Sequence, residues 1–301
     1  MRGKKSLFLA VPAGVGICLA MMSLAGIAAD AKTSPPALSA SQIVEKHIAA
    51  RGGLQAWRAL QSISLSGKMD AGSGSNDRSR ALAAQTGGGG AAAAMAKAAM
   101  ANKKEGTAAD AAKQVQLPFV LEMKRPGKSR VEIEFQGKTA VQVYDGTKGW
   151  KLRPFLNRNE VEPFTADEAK SEAVRPGYVD GPLVDYAAKG TKVAFEKVEP
   201  VEGHDAYKLK LTMKTGAVQH IWIDAHSFLD VKVEGTQRRM DGRMRDVWVY
   251  QRDFRSVQGL MVPFLLETTV DGYSNTHKMA IEKVTLNPKL DDALFNKPGG
   301  A

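Results

Sequence analysis

The segment HIWIDAH contains three residues with the chemistry of metal ligands. They are His220, Asp224 and His226, and two imidazoles with a carboxylate form a donor set that zinc and similar ions accept. The alternating pattern around them favours a β-strand, on which residues four apart point to one side but lie about 13 Å from each other. One ion cannot bridge that distance. The segment therefore predicts a strand followed by a turn that begins at Asp224, and no metal site.

No other stretch of the sequence has the spacing of a known catalytic site. The nucleophile elbow Gly-x-Ser-x-Gly, the zinc motif His-Glu-x-x-His and the dinucleotide fingerprint are all absent. The glycine run at residues 87–90 is followed by alanines instead of the Lys and Ser/Thr of a phosphate-binding loop. Cys18 is the only cysteine, so a chain processed after that point has no thiol nucleophile and no disulfide. We expect a protein that is not an enzyme and has no cofactor.

A basic cluster is the better candidate for a binding site. Arg238, Arg239, Arg243 and Arg245 surround the Asp241-Gly242 pair, and guanidinium groups at a hairpin could bind phosphate or carboxylate groups of a lipid or a partner protein. Exposed hairpins are also commonly charged for solubility and to protect sheet edges. The sequence leaves both interpretations open.

Three hairpins are predicted to organise the elements that position these residues. Asp145-Gly146, Asp241-Gly242 and Asp271-Gly272 each separate two segments in which apolar and polar residues alternate. An Asp-Gly pair between alternating segments is the strongest local signal for a β-hairpin. The chain is therefore expected to form an antiparallel meander.

The alternating segments amount to about eleven strands, with two or three short helical segments. One helix is predicted to start after a capping Ser41 and to end at Gly52-Gly53, and a second carries Leu54, Trp57 and Leu60. So many strands exceed what a sandwich of ordinary size needs. We expect a mostly β fold with a single large curved antiparallel sheet, its concave side covered by the helices.

The N-terminus has the pattern of an export signal. Arg2, Lys4 and Lys5 precede an uncharged apolar run that ends in small residues near Ala29. We interpret residues 1–29 as a cleaved signal peptide, with an uncleaved inner-membrane anchor as the alternative, and residues 30–40 as a flexible tether. The net charge of +10 is spread along the chain without the clustered basic and aromatic residues of a nucleic-acid site, so no nucleic-acid partner is expected.

Residues 71–113 differ in composition from everything around them. Alanine and glycine dominate, and large apolar side chains are nearly missing. Such a segment cannot offset the entropy of ordering by burial. We expect a disordered insertion between the first two strands of a domain that covers residues 41–298.

Four segments resemble the outer-membrane lipoprotein-sorting protein family, the LolA/LolB-like group. They are QIVEKHIAARGGLQAWRALQSISLSGKM, VYDGTKGW, FRSVQGLMVPFLLET and KVTLNPKLDDALFNKP. The resemblance covers Ser41–Ser66 and Gln116–Pro298. It implies an unclosed half-barrel with a helical lid over a hydrophobic cavity that takes acyl chains.

The resemblance also implies a function and a set of site residues. The protein would be a periplasmic, monomeric carrier for a lipid or an acylated lipoprotein, with inner- and outer-membrane transport proteins as further partners. The alternative is an envelope sensor or scaffold of the same fold that binds a protein. The residues expected to line the cavity are Ile63, Leu65, Leu121, Ile133, Val141, Val143, Trp150, Leu209, Leu211, Ile221 and Trp248.

Overall fold

The computed structural model describes residues 38–70, 115–154, 158–173, 179–273 and 276–299. All of them belong to one compact unit, residues 35–301. In these ranges the protein is mostly β, with one antiparallel sheet of 13 strands and a separate two-stranded hairpin. The predicted fold class is confirmed. The expected signal peptide and the Ala/Gly-rich insertion lie outside the described residues, as does most of the expected tether.

The strands follow the alternating segments of the sequence. Their bounds are β1 Ser62–Asp70, β2 Gln116–Lys124, β3 Lys128–Phe135, β4 Lys138–Tyr144, β5 Gly149–Arg153, β6 Arg158–Pro163, β7 Lys192–Val201, β8 His204–Thr212, β9 Val218–Asp224, β10 Asp230–Glu234, β11 Arg238–Met240, β12 Arg243–Arg245, β13 Val247–Val257, β14 Leu260–Val270 and β15 His277–Leu286.

The large sheet is an open one. Its strand order is β6-β5-β4-β3-β2-β1-β15-β14-β13-β10-β9-β8-β7, so the first and last strands of the chain pair in the middle of the sheet. Strands β6 and β7 form its two edges and do not pair with each other. The sheet is therefore an unclosed half-barrel.

The sheet has more strands than the sequence predicts. Strand β6 is a polar strand at the edge of the sheet, and Val161 is its only large aliphatic residue. A polar edge strand has no buried face to produce alternation. The alternating segment after Asp241-Gly242 is divided into two strands, because the chain leaves the small hairpin at Asp246 before it enters β13.

The helices are few and short. They are α1 Ala40–Ala50, α2 Leu54–Ala59, α3 Ala166–Ala173 and a 3₁₀ helix at Asp292–Phe295. Helix α1 starts two residues earlier than predicted, because Ser39 and not Ser41 is the N-cap. The Ser39 side chain accepts from the Gln42 N–H, and the Gln42 side chain accepts from the Ser39 N–H. Among the described residues, no helix combines the length and apolar character needed to span a bilayer.

The sheet has two faces that differ in what covers them. We call the side that packs against α1 and α2 the inner face, and the opposite side the outer face. Residues directly opposite each other in an antiparallel pair share a face, so the registers assign each strand position. For example, Leu65 lies opposite Leu121 and Leu121 lies opposite Val131, and all three are on the inner face.

The core of the inner face consists of two clusters. In the first, Trp57 and Leu60 pack on strands β1, β2, β3, β14 and β15. In the second, Ile43 and Val44 of α1 pack on β8 and β9. Ile43 is fully buried, and burial of a side chain of this size stabilises the fold by about 1.5–3 kcal/mol.

The three Asp-Gly pairs are at hairpin turns, as predicted. Asp145 begins the turn between β4 and β5, where its carboxylate accepts from the N–H groups of Thr147 and Lys148. Asp241 and Gly242 form the two-residue turn between β11 and β12, with φ values of 49° and 76°. Positive φ at both central positions is the conformation that Asp-Gly favours in such a turn.

Candidate functional site

The inner face carries most of the residues that we expected to contact a lipid. The registers and clusters place seven of the eleven there: Ile63, Leu65, Leu121, Ile133, Leu209, Leu211 and Ile221. They divide between the two clusters under the helices. Whether any of them contacts a lipid stays a prediction.

The other four lie on the outer face. Val141, Val143 and Trp150 pack against Phe295 of the 3₁₀ helix, and Trp248 packs with Trp222 in a separate outer cluster. The eleven residues thus do not form one surface. In β4 and β5 the large apolar residues lie on the outer face, because the C-terminal segment covers that side. Alternation separates the two faces of a strand but does not say which of them is the inner one.

Between the two inner clusters lies an apolar strip that the helices leave half-exposed. It consists of Val249 on β13, Leu266 on β14 and Met279 on β15, and we call it the inner strip. Leu266 is directly opposite Met279, and Val249 is opposite Thr268 on the same face. These strands stand between β1 and β10 in the sheet. Met279 also packs against the first cluster, so the inner strip begins at the edge of that cluster. It is apolar surface on the covered side of the sheet that is only partly buried.

Helix α1 is attached to the sheet by buried polar groups as well as by apolar packing. His47 Nδ1 donates to the Phe228 carbonyl at 3.0 Å, and its Nε2 lies 3.8 Å from Asp230. Arg51 lies 3.7 Å from the same carboxylate, and its guanidinium stacks 4.2 Å from the centre of the Trp57 ring. Burial lowers the pKa of His47 below its usual value. The hydrogen bond to the Phe228 carbonyl requires a proton on Nδ1 only, so a neutral imidazole can make it.

A second polar anchor holds the loop of residues 179–190 against α2. Asp180 is 1% exposed and accepts from Arg125 at 2.7 Å and from Lys189 at 3.0 Å. Arg125 also donates to the carbonyl of Leu60, which ends α2. At the solvent side of the same loop, Arg58 pairs with Asp185. The cover of the inner face is thus fixed by specific charge-assisted hydrogen bonds.

The third helix covers the end of the sheet next to β6. Lys151 of β5 is on the inner face, and its ammonium lies 2.6 Å and 2.7 Å from the two oxygens of Glu168. Both side chains are buried. Glu168 also accepts from the Thr165 N–H, and Thr165 accepts from the Glu168 N–H in return. Thr165 and Glu168 therefore form a capping box at the start of α3.

The four arginines of the basic cluster do not act as one group. In the β11–β12 hairpin Arg238 is opposite Arg245, and Met240 is opposite Arg243, so these four share one face of the hairpin. Met240 is buried against Val247 and Val270, which turns that face toward the inner side of the sheet. Arg239 is exposed on the other face.

His277 lies on the inner face at the end of the inner strip. It is opposite Thr268 and only 8% exposed, and among the described residues its Nε2 has no hydrogen-bond partner. Burial, together with the positive charge of Arg238, lowers the pKa of His277 to about 3. Burial also lowers the pKa of Arg238, to about 10. Arg238 and a neutral His277 therefore both lie on the covered side of the sheet.

Sequence reasoning missed His277 as a site residue. It is the first residue of β15, and its partner Arg238 is on a different strand, so no local motif connects the two. The same holds for Asp230, whose cationic partners lie in α1, and for the contact of Asp180 with Arg125. What distinguishes these residues is their burial, and burial is visible only in the folded chain.

The residues of HIWIDAH have structural partners. His220 Nδ1 lies 2.5 Å from Glu234 on the neighbouring strand. Asp224 ends β9 and accepts from the N–H groups of His226 and Ser227, so the predicted turn at Asp224 is confirmed. Within the ranges that the structure describes, no group of three His, Cys, Asp or Glu residues has the arrangement of a metal site.

Comparison with solved structures finds the same fold. A LolA superfamily protein from Nitrosomonas europaea superposes with a TM-score of 0.50 at 15% identity, over 87% of this chain and 99% of that one. The chain has a LolA-like fold. This comparison agrees with the strand order and the open sheet described above. No family model matches the sequence, and no curated protein does.

Two further solved structures are similar to the LolA-like chain at lower scores. A DUF1329 family protein from Desulfovibrio piger has a TM-score of 0.49 at 12% identity, over 85% of this chain and 97% of that one. A domain named as an outer-membrane lipoprotein-sorting protein, from Vibrio parahaemolyticus, has a TM-score of 0.47 at 12% identity, over 85% and 95%.

Proposed function

We propose that this protein is a periplasmic carrier that binds acyl chains on the inner face of its sheet. The observation that carries the proposal is the inner strip of Val249, Leu266 and Met279, which stays half-exposed on the face that the helices cover. In proteins generally, a site for an apolar ligand is a concave surface lined by apolar side chains. The LolA-like fold supports the same assignment.

The proposed role needs no catalytic group. The carrier takes up a lipid or an acylated lipoprotein, shields its chains from water and passes it between transport proteins of the inner and outer membranes. It works as a monomer. Removal of apolar surface from water supplies the binding energy, about 25 cal/mol per Å² buried.

The strip offers a matched pair of variants on neighbouring residues. Leu266 and Leu265 are adjacent on β14 and both are half-buried, but Leu266 is on the inner face and Leu265 is on the outer face, opposite Arg252. A carboxylate at either position remains partly accessible to water, so both variants should fold. Only the inner one places a charge in the path of an acyl chain.

The test measures the affinity of a fluorescent fatty acid for the wild type, Leu266→Glu and Leu265→Glu. Native mass spectrometry of protein purified from its own envelope fraction, followed by solvent extraction, identifies any bound lipid. We expect bound lipid in the wild type, loss of at least about tenfold in affinity for Leu266→Glu, and little change for Leu265→Glu.

Two results would contradict the proposal. One is a wild-type protein that purifies without lipid and takes up no fatty acid. The other is an equal loss of affinity in both variants, which would mean that the ligand does not distinguish the two faces. Circular dichroism of each variant shows whether the fold is retained.

A further inference from the structure

The inner strip ends at a basic site. Along β14 and β15, the pair Leu266–Met279 is followed two residues on by the pair Thr268–His277, on the same face. Two residues of a strand correspond to about 7 Å. An apolar surface and a buried imidazole therefore follow each other at the spacing between the chain and the polar end of a small amphiphile.

Two strands that are distant in the sequence build the basic site. The Met240 side chain fixes the hairpin against Val247 and Val270 of the inner face, and Arg238 shares the inward side of that hairpin with Met240. His277 contributes a buried Nε2 without a partner among the described residues. A buried polar atom that lacks a partner in the folded protein is costly unless a ligand supplies one.

We propose that the cargo is an anionic amphiphile, whose oxyanion is bound by Arg238 and His277 while its acyl chain lies on the inner strip. This inference rests on the proposed carrier function. The guanidinium supplies the positive charge that attracts a carboxylate or phosphate. With its proton on Nε2, the His277 imidazole donates to the same oxyanion. The site thus recognises the ligand by the negative charge of its polar end.

The hairpin provides the control. Arg239 is next to Arg238 in the chain but exposed on the outward side of the hairpin, so Arg238→Gln and Arg239→Gln remove the same charge from opposite sides. A general effect of net charge would appear in both variants. Binding at the proposed site would be affected in Arg238→Gln alone.

The experiment compares two ligands with one acyl chain: palmitoyl lysophosphatidylglycerol, which is anionic, and monopalmitoyl glycerol, which is neutral. We expect the wild type to prefer the anionic ligand by about tenfold, the order of a charge-assisted hydrogen bond. Arg238→Gln should lose this preference and keep its affinity for the neutral ligand within about twofold, whereas Arg239→Gln should behave as the wild type.

A spectroscopic readout reports on the site itself. The ¹⁵N chemical shifts of the His277 imidazole should change when the anionic ligand binds, because the oxyanion offsets the charge of Arg238 and contacts Nε2. Monopalmitoyl glycerol should leave them nearly unchanged. Shifts of His226, which is exposed in its turn, should respond to neither ligand.

The outcomes separate the two proposals. If the wild type binds neither ligand, the carrier function itself is wrong. If it binds both with equal affinity, or if Arg238→Gln keeps the preference, the acyl site stands and the anion site is wrong. If inorganic phosphate alone binds as tightly as the anionic lipid and shifts His277 in the same way, the site recognises a free anion and not an amphiphile.

Discussion

His277 should make the stability of this protein depend on pH in the mildly acidic range. The folded chain holds its pKa at about 3, whereas an unfolded histidine titrates near 6.5. Between these two values the unfolded chain binds a proton that the folded chain does not. The free energy of unfolding therefore falls as the pH drops below about 6.5 and levels off near the folded pKa.

The size of the effect follows from the difference in proton binding. Each pH unit below the unfolded pKa costs about 1.4 kcal/mol, so at pH 5 the contribution of His277 is a loss of about 2 kcal/mol relative to pH 7.5. Solvent screening does not reduce it much, since the side chain is buried. Burial lowers the pKa of His47 as well, so His47 also makes the protein less stable at acidic pH. A variant at position 277 is therefore needed to isolate the contribution of His277.

The assay is urea unfolding at pH 7.5 and pH 5.0, followed by tryptophan fluorescence, for the wild type and His277→Gln. The variant lacks the titrating group, so its loss of stability between the two pH values should be smaller than that of the wild type by about 2 kcal/mol. His226→Gln, at an exposed position, serves as the control and should lose as much as the wild type. An equal loss in all three proteins would refute the assignment of His277 as a buried neutral group.

Three further predictions concern stability, measured by urea unfolding at pH 7.5. Asp180→Asn breaks a buried pair and leaves two cations without their carboxylate, so we expect a loss of about 3 kcal/mol, against less than about 1 kcal/mol for Asp185→Asn at the solvent side; equal losses would contradict the role of the buried anchor. Phe295→Ala removes a fully buried ring and should cost about 3–5 kcal/mol; a loss below 1 kcal/mol would mean that the 3₁₀ helix does not cover the outer face. Gly67 follows a register shift in the pairing of β1 with β15. Gly67→Ala should disrupt this pairing, because its Cβ would clash with the Ala280 carbonyl oxygen; wild-type stability would show that the backbone at this register shift relaxes freely.

The two anchors explain how the protein keeps an apolar strip accessible. Polar contacts around Asp230 and Asp180 hold helices α1 and α2 at their positions. These contacts fix the helices without close packing over the whole sheet. The inner strip between the two clusters can therefore remain uncovered. A cover held by apolar contacts alone would gain stability by closing over the strip.

Much of the fold could be predicted from the sequence. The alternation in β1 to β5 and β7 to β15 and the three Asp-Gly turns identify most of the sheet. The apolar stripe of Ile43 and Val44 and the capping residues identify the helices. Strand β6 could not be predicted, because a polar edge strand has no pattern of burial. The Asp241-Gly242 hairpin was predicted, but its separation from the large sheet at Asp246 depends on long-range pairing.

The candidate site was less predictable. Seven of the residues expected at the cavity are on the inner face, but Val141, Val143, Trp150 and Trp248 are on the outer one. In β4 and β5 the C-terminal 3₁₀ helix buries the side that we assigned to the interior. The chain segment that covers a strand is decided by contacts between residues far apart in the sequence.

By itself, the sequence determined the local conformations of the chain: which segments are strands, where the Asp-Gly turns fall and where the basic residues cluster. These follow from side-chain alternation and from the backbone preferences of single residues. The tertiary structure alone decided the pairing of β1 with β15, the identity of the inner face and the meeting of Arg238 with His277. Each of these depends on long-range packing, because a strand presents two faces and the residues that bury one of them lie elsewhere in the chain.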